Sequence, residues 1–156
     1  MSICQKMITI EKASLKHITY LVEFQQCLAQ ETEGISLSPE VLHTGLSAMF
    51  DDPAKGVYYV ALADDKVVGC HMTTTEWSEW RNGTVLWIQS LYVLENYRKY
   101  GVFKVMYKNL VDMINNDPGL IGLRLYVDKS NIRAMKVYEA MGMDGSHYTM
   151  YEWMKS

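Results

Sequence analysis

The chain has no apolar run approaching ~18 residues, the length a helix needs to cross a bilayer, so no membrane span and no membrane partner are expected. Its start lacks the long apolar core of a secretory signal. Three cysteines, Cys4, Cys27 and Cys70, form no C-x-x-C pair. An odd count without a framework argues against a disulfide scaffold and fits inert thiols in a reducing compartment, with cytoplasmic as the expected location. H-E-x-x-H, Cys/His metal spacing and G-x-S-x-G are all missing, so neither a metal centre nor a Ser/His/Asp site is expected. So are the Walker G-x-x-x-x-G-K-[ST] and the dinucleotide G-x-G-x-x-G. The net charge of −3 argues against nucleic acid as a partner. There are no repeats, low-complexity tracts or linkers, and 156 residues are expected as one domain, 1–156.

What is present centres on residues 84–116. Thr84 to Val93 is β-branched, aromatic and aliphatic, which predicts a strand buried on both faces. Phe103, Met106, Leu110, Met113 and Ile114 then recur at three- and four-residue spacing, the stripe of an amphipathic helix. Between them lies the basic turn Arg98-Lys99-Tyr100-Gly101. A helix start carries unpaired N–H groups and the positive end of the macrodipole. With Arg98, Lys99 and Lys104 nearby, that arrangement suits phosphate or pyrophosphate. The same pattern also describes a plain strand–helix connection with solvated lysines.

The other elements follow from pattern and punctuation. Met7 to Lys12 alternates as a short strand, and Lys16 to Glu31 is a helix with Ile18, Leu21, Val22, Gln25 and Leu28 on one stripe. Ser38-Pro39-Glu40 starts a second helix, with Ser38 as N-cap and Pro39 at its first position. Val57–Ala63 and Val67–Thr75 form a hairpin about Asp64-Asp65-Lys66, with Gly69 marking a bulge or a close backbone approach. Glu76 to Gly83 is a Trp-rich loop ending in the turn pair Asn82-Gly83. Leu120 to Asp128 is a strand, parallel to the central one if the helix is its crossover. Asn131 caps a helix that Gly142 ends, and Ser146 to Met154 alternates as a last strand. The order β-α-α-β-β-β-α-β-α-β predicts a mixed α/β (α+β) sheet with helices on both faces.

Leu91-Tyr92-Val93 followed by Tyr97-Arg98-Lys99-Tyr100-Gly101-Val102-Phe103 resembles motif A of the GCN5-related N-acetyltransferases (GNAT), Q/R-x-x-G-x-G/A. Arg98 fits its first position and Gly101 its fourth; Phe103 departs from the last, usually Gly or Ala. Leu123–Val127, Asn131, Ala134 and Val137-Tyr138-Glu139-Ala140-Met141-Gly142-Met143 resemble the family's motif B. The resemblance implies a mixed, mostly antiparallel sheet with one parallel crossover between the fourth and fifth strands, which splay to admit acetyl-CoA. It implies that backbone atoms of Leu91, Tyr92 and Val93 pair with the pantetheine arm. The pyrophosphate then meets the turn and helix start: Arg98, Lys99, Tyr100, Gly101, Val102, Phe103 and Lys104. Asn131 becomes a second pantetheine contact besides a helix cap. Tyr138 becomes both a cofactor neighbour and the general acid. Read without the family, Tyr138 sits on an apolar stripe like any core tyrosine.

Acetyl transfer to nitrogen needs a neutral amine, although a free amine has a pKa of ~10.4, so a base or a water chain to one is required. The central strand contains no acid; Gln89 stands where several relatives, diamine acetyltransferases among them, carry Glu. Glu76 is the favoured base because it ends the strand beside the central one; Glu79, Glu31 and Glu33 are the other acids on the expected acceptor side. Trp77, Trp80, Trp87 and Tyr92 could wall a pocket for an amine cation. His71 reads as a packed strand histidine. The expected activity is an acetyl-CoA-dependent N-acetyltransferase acting on a small-molecule amine, as a homodimer. The alternatives are a non-catalytic acyl-CoA sensor or interaction module, and a protein or peptide N-acetyltransferase.

Overall fold

The computed structural model describes residues 7–156, so Cys4 lies outside the described residues. The elements are β1 (Ile8–Lys12), α1 (Ile18–Glu33), α2 (Pro39–Asp51), β2 (Val57–Ala63), β3 (Lys66–Ser78), β4 (Gly83–Val93), α3 (Val102–Asn116), β5 (Leu120–Leu125) and α4 (Ile132–Ala140). The five strands lie side by side in chain order. β1 to β4 pair antiparallel, and β5 joins β4 in parallel. The expected mixed sheet with one parallel crossover is therefore present, and α3 is that crossover. No helix among the described residues is long and apolar enough to cross a membrane. Two compact units result, one ending at Leu125 and the other running from Tyr126 to Ser156.

Strand alternation sends the first unit's side chains into two cores. Tyr58, Val60, Cys70 and Tyr92 meet Leu21 and Phe24 of α1 and Leu46 of α2. On the other face, Ala61, Ala63 and Val68 meet Val102 and Met106 of α3. The sheet thus carries helices on both faces. Local chemistry sets the helix ends as expected: Ser38 Oγ accepts from Val41 N at 3.3 Å, and Pro39 opens α2.

Two irregularities bend the middle of the sheet. At the first, Val68 and Gly69 of β3 face Ala61 of β2. A Cβ on Gly69 would stand 2.8 Å from the Tyr92 carbonyl oxygen, so Gly69 is both a bulge residue and a close backbone approach. The second shift falls between Cys70 and Met72, where β4 places Ser90 and Leu91 against the single residue His71.

Three expectations change. The hairpin turn is residues 79–82, with Asn82 at φ 50°, and Glu76, Trp77 and Ser78 join the ladder opposite Val85, Thr84 and Gly83. The expected Trp-rich loop is thus half strand. The strand expected at 120–128 stops at Leu125. Residues 146–154 carry no strand, and Tyr148, Tyr151 and Trp153 are exposed there. Alternation supplies β propensity, but a strand forms only where its backbone groups find a partner.

His71 is fully buried and stacks on Tyr59, ring centroids 5.2 Å apart. Neither ring nitrogen has a hydrogen-bond partner among the described residues. Burial lowers its pKa from 6.5 to about 4. The folded protein therefore holds His71 neutral where the unfolded chain would already bind a proton. This contribution to stability is complete above pH ~6.5 and is lost as pH falls toward 4, by at most about 3 kcal/mol. Burial lowers His17 too, which is why a variant is needed as reference. In urea unfolding, wild type should lose stability between pH 7 and pH 4.5 faster than His71→Leu. Parallel curves would exclude His71 as the cause.

Candidate active site

β5 leaves β4 early. The parallel register runs from Thr84↔Leu120 to Ile88↔Leu125, whereas β3 follows β4 down to Val93. From Gln89 to Val93, β4 is therefore paired on its β3 side alone within this sheet. The parallel pairing thus stops where β5 ends, and β4 runs on beyond it. Val93 turns its carbonyl away from β3, and Arg98 Nε donates to it at 2.9 Å. By alternation, Leu91 faces the same open edge.

Ser90 sits at φ 53°, in the left-handed region, in the middle of a strand. That conformation costs a non-glycine residue about 1–3 kcal/mol and persists only when its surroundings enforce it. Three elements do so here. Gln25 Nε2 of α1 donates to the Ser90 carbonyl at 3.3 Å. Cys70 Sγ of β3 donates to the same oxygen at 3.6 Å. The Tyr58 phenol of β2 stands beside the Ser90 side chain. Burial pushes the Cys70 thiol up to about 12, so it remains a protonated donor.

Past Val93 the chain makes the basic turn and enters α3. Gly101 is the N-cap residue at φ 74°, and no side chain caps the helix. The first intrahelical bond is Val105 N to Gly101 O, so the amides of Val102, Phe103 and Lys104 precede the ladder. Lys99 and Lys104 are exposed beside them. Arg98 is differently placed. Its guanidinium donates to Glu31 Oε2 at 2.6 Å and lies 5.5 Å from the centroid of the Tyr92 ring. The Tyr92 hydroxyl donates to Glu31 Oε1 at 3.0 Å. Glu31 thus ties the end of α1 to β4 and to the turn, and it neutralises Arg98. Burial first, and Glu31 second, hold the Tyr92 phenol well above its ordinary range. Phe103 is half-buried and packs along its own helix, 6.1 Å from the Tyr107 ring.

On the face covered by α1 and α2, a polar row runs up β3 and β4. Glu76, Thr74, Trp87 and Gln89 share that face by alternation and register. Glu76 Oε2 accepts from Trp87 Nε1 at 2.7 Å and Glu76 Oε1 accepts from Arg124 at 2.6 Å. Gln89 Nε2 donates to Thr74 Oγ1 at 2.7 Å. Glu76 pairs with Val85, five residues short of Ser90 along β4 and so about 17 Å from it. Trp77 points to the opposite face from Glu76, and Trp77 and Trp80 are exposed at the hairpin tip. Of the tryptophans expected as a wall, Trp87 alone is joined to Glu76.

The second unit carries the other two expected residues. Asn131 caps α4, its Oδ1 accepting from Ala134 N at 3.1 Å. Gly142, at φ 89°, ends that helix, with Met143 N bonding Tyr138 O and Gly142 N bonding Glu139 O. Burial raises the Tyr138 phenol above its ordinary pKa.

An open strand edge leading into an uncapped helix start is the layout that motif A implied. Residues 19–143 match the family model described as the acetyltransferase (GNAT) family. The chain belongs to the GNAT family. A possible acetyltransferase from Clostridium difficile 630 shares 40% identity at a TM-score of 0.88, covering 97% of this chain and 99% of its own. A probable acetyltransferase shares 24%, with a TM-score of 0.81 and coverages of 95% and 98%. A predicted acetyltransferase from Clostridium acetobutylicum, solved with acetyl-CoA, has the same fold at 18% identity and a TM-score of 0.71, covering 94% and 96%. No curated protein matches the sequence.

This GNAT enzyme is an acetyl-CoA-dependent N-acetyltransferase, and acetyl-CoA is its co-substrate. The fold and both motifs were legible in the sequence. The Ser90 bend, the Glu31–Arg98 pair and the Gln25 contact were not. A faint signal existed for the last: Gln25 is a polar residue on the apolar stripe of α1.

Proposed function

We propose that this GNAT enzyme acetylates the primary amine of a small molecule by direct attack in a ternary complex with acetyl-CoA. The observation that carries this reading is the juxtaposition on β4: an open edge from Gln89 to Val93, and beside it a face bearing Glu76, Trp87, Thr74 and Gln89. In this reading the pantetheine amides pair with Leu91, Tyr92 and Val93, as an added strand would. The pyrophosphate rests on the amides from Lys99 through Lys104, with Tyr100, Gly101, Val102 and Phe103 between them. Lys99 and Lys104 supply the charge, since Arg98 is paired with Glu31 and acts on the turn's geometry.

The acceptor lies on the polar face. Its ammonium proton leaves along the row Gln89, Thr74, Glu76, through water, because Glu76 is too far along β3 for direct contact. The free amine attacks the thioester carbon, the C–S bond breaks, and the Tyr138 phenol gives its proton to the departing thiolate. Asn131 holds the pantetheine in addition to capping α4.

The family match crosses both compact units, which supports 1–156 as one acetyltransferase domain. The unpaired cysteines support a cytoplasmic setting. We also propose a homodimer; light scattering giving a single-chain mass at working concentration would refute it.

Thiol release measured across a panel of small amines and short peptides tests the acceptor class. Turnover with small amines and none with peptide N-termini is expected. Peptide turnover alone would overturn the small-amine reading, and the exposed Trp77 and Trp80 would then be the surface to examine. Tight acetyl-CoA binding without any turnover would favour a sensor.

A further inference from the structure

We infer that Gln25, on α1, is a positioning residue for acetyl transfer: it holds the Ser90 carbonyl toward α1 and thereby aims the Leu91 N–H away from it, toward the cofactor. The inference rests on the reading that the Leu91–Val93 edge carries the thioester arm.

A trans peptide unit is planar, so its C=O and N–H point in opposite directions. The Ser90 oxygen receives Gln25 Nε2 at 3.3 Å and Cys70 Sγ at 3.6 Å. The N–H of that same peptide belongs to Leu91, and it points away from α1. By alternation from Val93, whose carbonyl faces away from β3, this N–H lies on the open side of β4. Donors aimed in advance at the thioester oxygen count most where charge develops in the transition state.

Ser90 does not hold this bend by itself, because φ 53° is unfavourable for serine. Gln25 is 8% exposed, among the apolar residues Leu21 and Phe24 of its own helix. Leucine or methionine would fill that space equally well for packing. A buried amide there is justified by its bonds, and both bonds that Gln25 donates among the described residues converge on the bend: Ser90 O, and Cys70 Sγ at 3.6 Å.

The test uses the full chain. Gln25→Met keeps the volume and removes the donor. It should lower kcat by roughly tenfold or more while leaving KM for acetyl-CoA within about threefold, since an aim lost is felt in the transition state. Adding Ser90→Gly should restore part of kcat, because glycine adopts positive φ without being held. A merely packing role would change melting and not produce that rescue. In wild type, the Leu91 amide resonance should shift when acetyl-CoA binds. No Leu91 shift in wild type would overturn the strand-edge reading, and the positioning role with it. A Leu91 shift with Gln25→Met kcat within about twofold of wild type would overturn the positioning role alone. Should Gln25→Met fail to fold, Gln25→Asn, one methylene short of the carbonyl, carries the same comparison.

Discussion

Tyr138→Phe should lower kcat about a hundredfold, within the ~10²–10⁴ that general acid catalysis contributes. The ring stays, so packing stays, and one O–H is lost. An ordinary phenol can protonate a thiolate whose conjugate acid has a pKa of ~8.5 at an uphill cost of about 2 kcal/mol. Burial raises the Tyr138 phenol further, which keeps it protonated at neutral pH and adds to that uphill cost. The fall should appear equally in kcat and kcat/KM, because the proton is needed only in the transition state. If Tyr138 only packs α4, the variant should keep kcat within a few-fold and lose at most ~1–3 kcal/mol from an unsatisfied partner. Steady-state kinetics and melting of one variant separate the two.

Gly101→Val should remove most of the stabilisation that acetyl-CoA confers. For wild type, ligand at ~100 times its dissociation constant adds roughly 2.7 kcal/mol. Among the described residues, no atom outside the turn lies within 4 Å of where a Cβ on Gly101 would stand, so they offer no clash. The cost comes from the backbone: φ 74° places a β-branched residue in the left-handed region, at about 1–2 kcal/mol. Relieving that strain rotates the turn and carries the amides of Val102, Phe103 and Lys104 off their target. Gly101→Asn tolerates the same φ and should keep most of the shift. Scanning fluorimetry with and without acetyl-CoA compares the three proteins; a full shift in the valine variant would place the cofactor elsewhere.

The sequence by itself determined whatever depends on near neighbours in the chain. The caps at Ser38 and Asn131, the strand–turn–helix from Thr84 to Asn116 and the left-handed glycine at 101 are set by local dihedral and hydrogen-bond preferences. The family followed from two such local motifs in the right order. What only the tertiary structure decided depends on partners far apart in the chain. Arg98 looked like phosphate-binding charge until Glu31, from the end of α1, was found against it. Glu76 looked unpartnered until Trp87 and Arg124 met both of its oxygens. Residues 146–154 alternate as a strand should, yet no ladder forms there. Ser90 gives no hint of a bend, since serine does not favour positive φ. The bend exists because donors from α1 and β3 converge on one carbonyl, and that convergence is a property of packing which neither segment encodes alone.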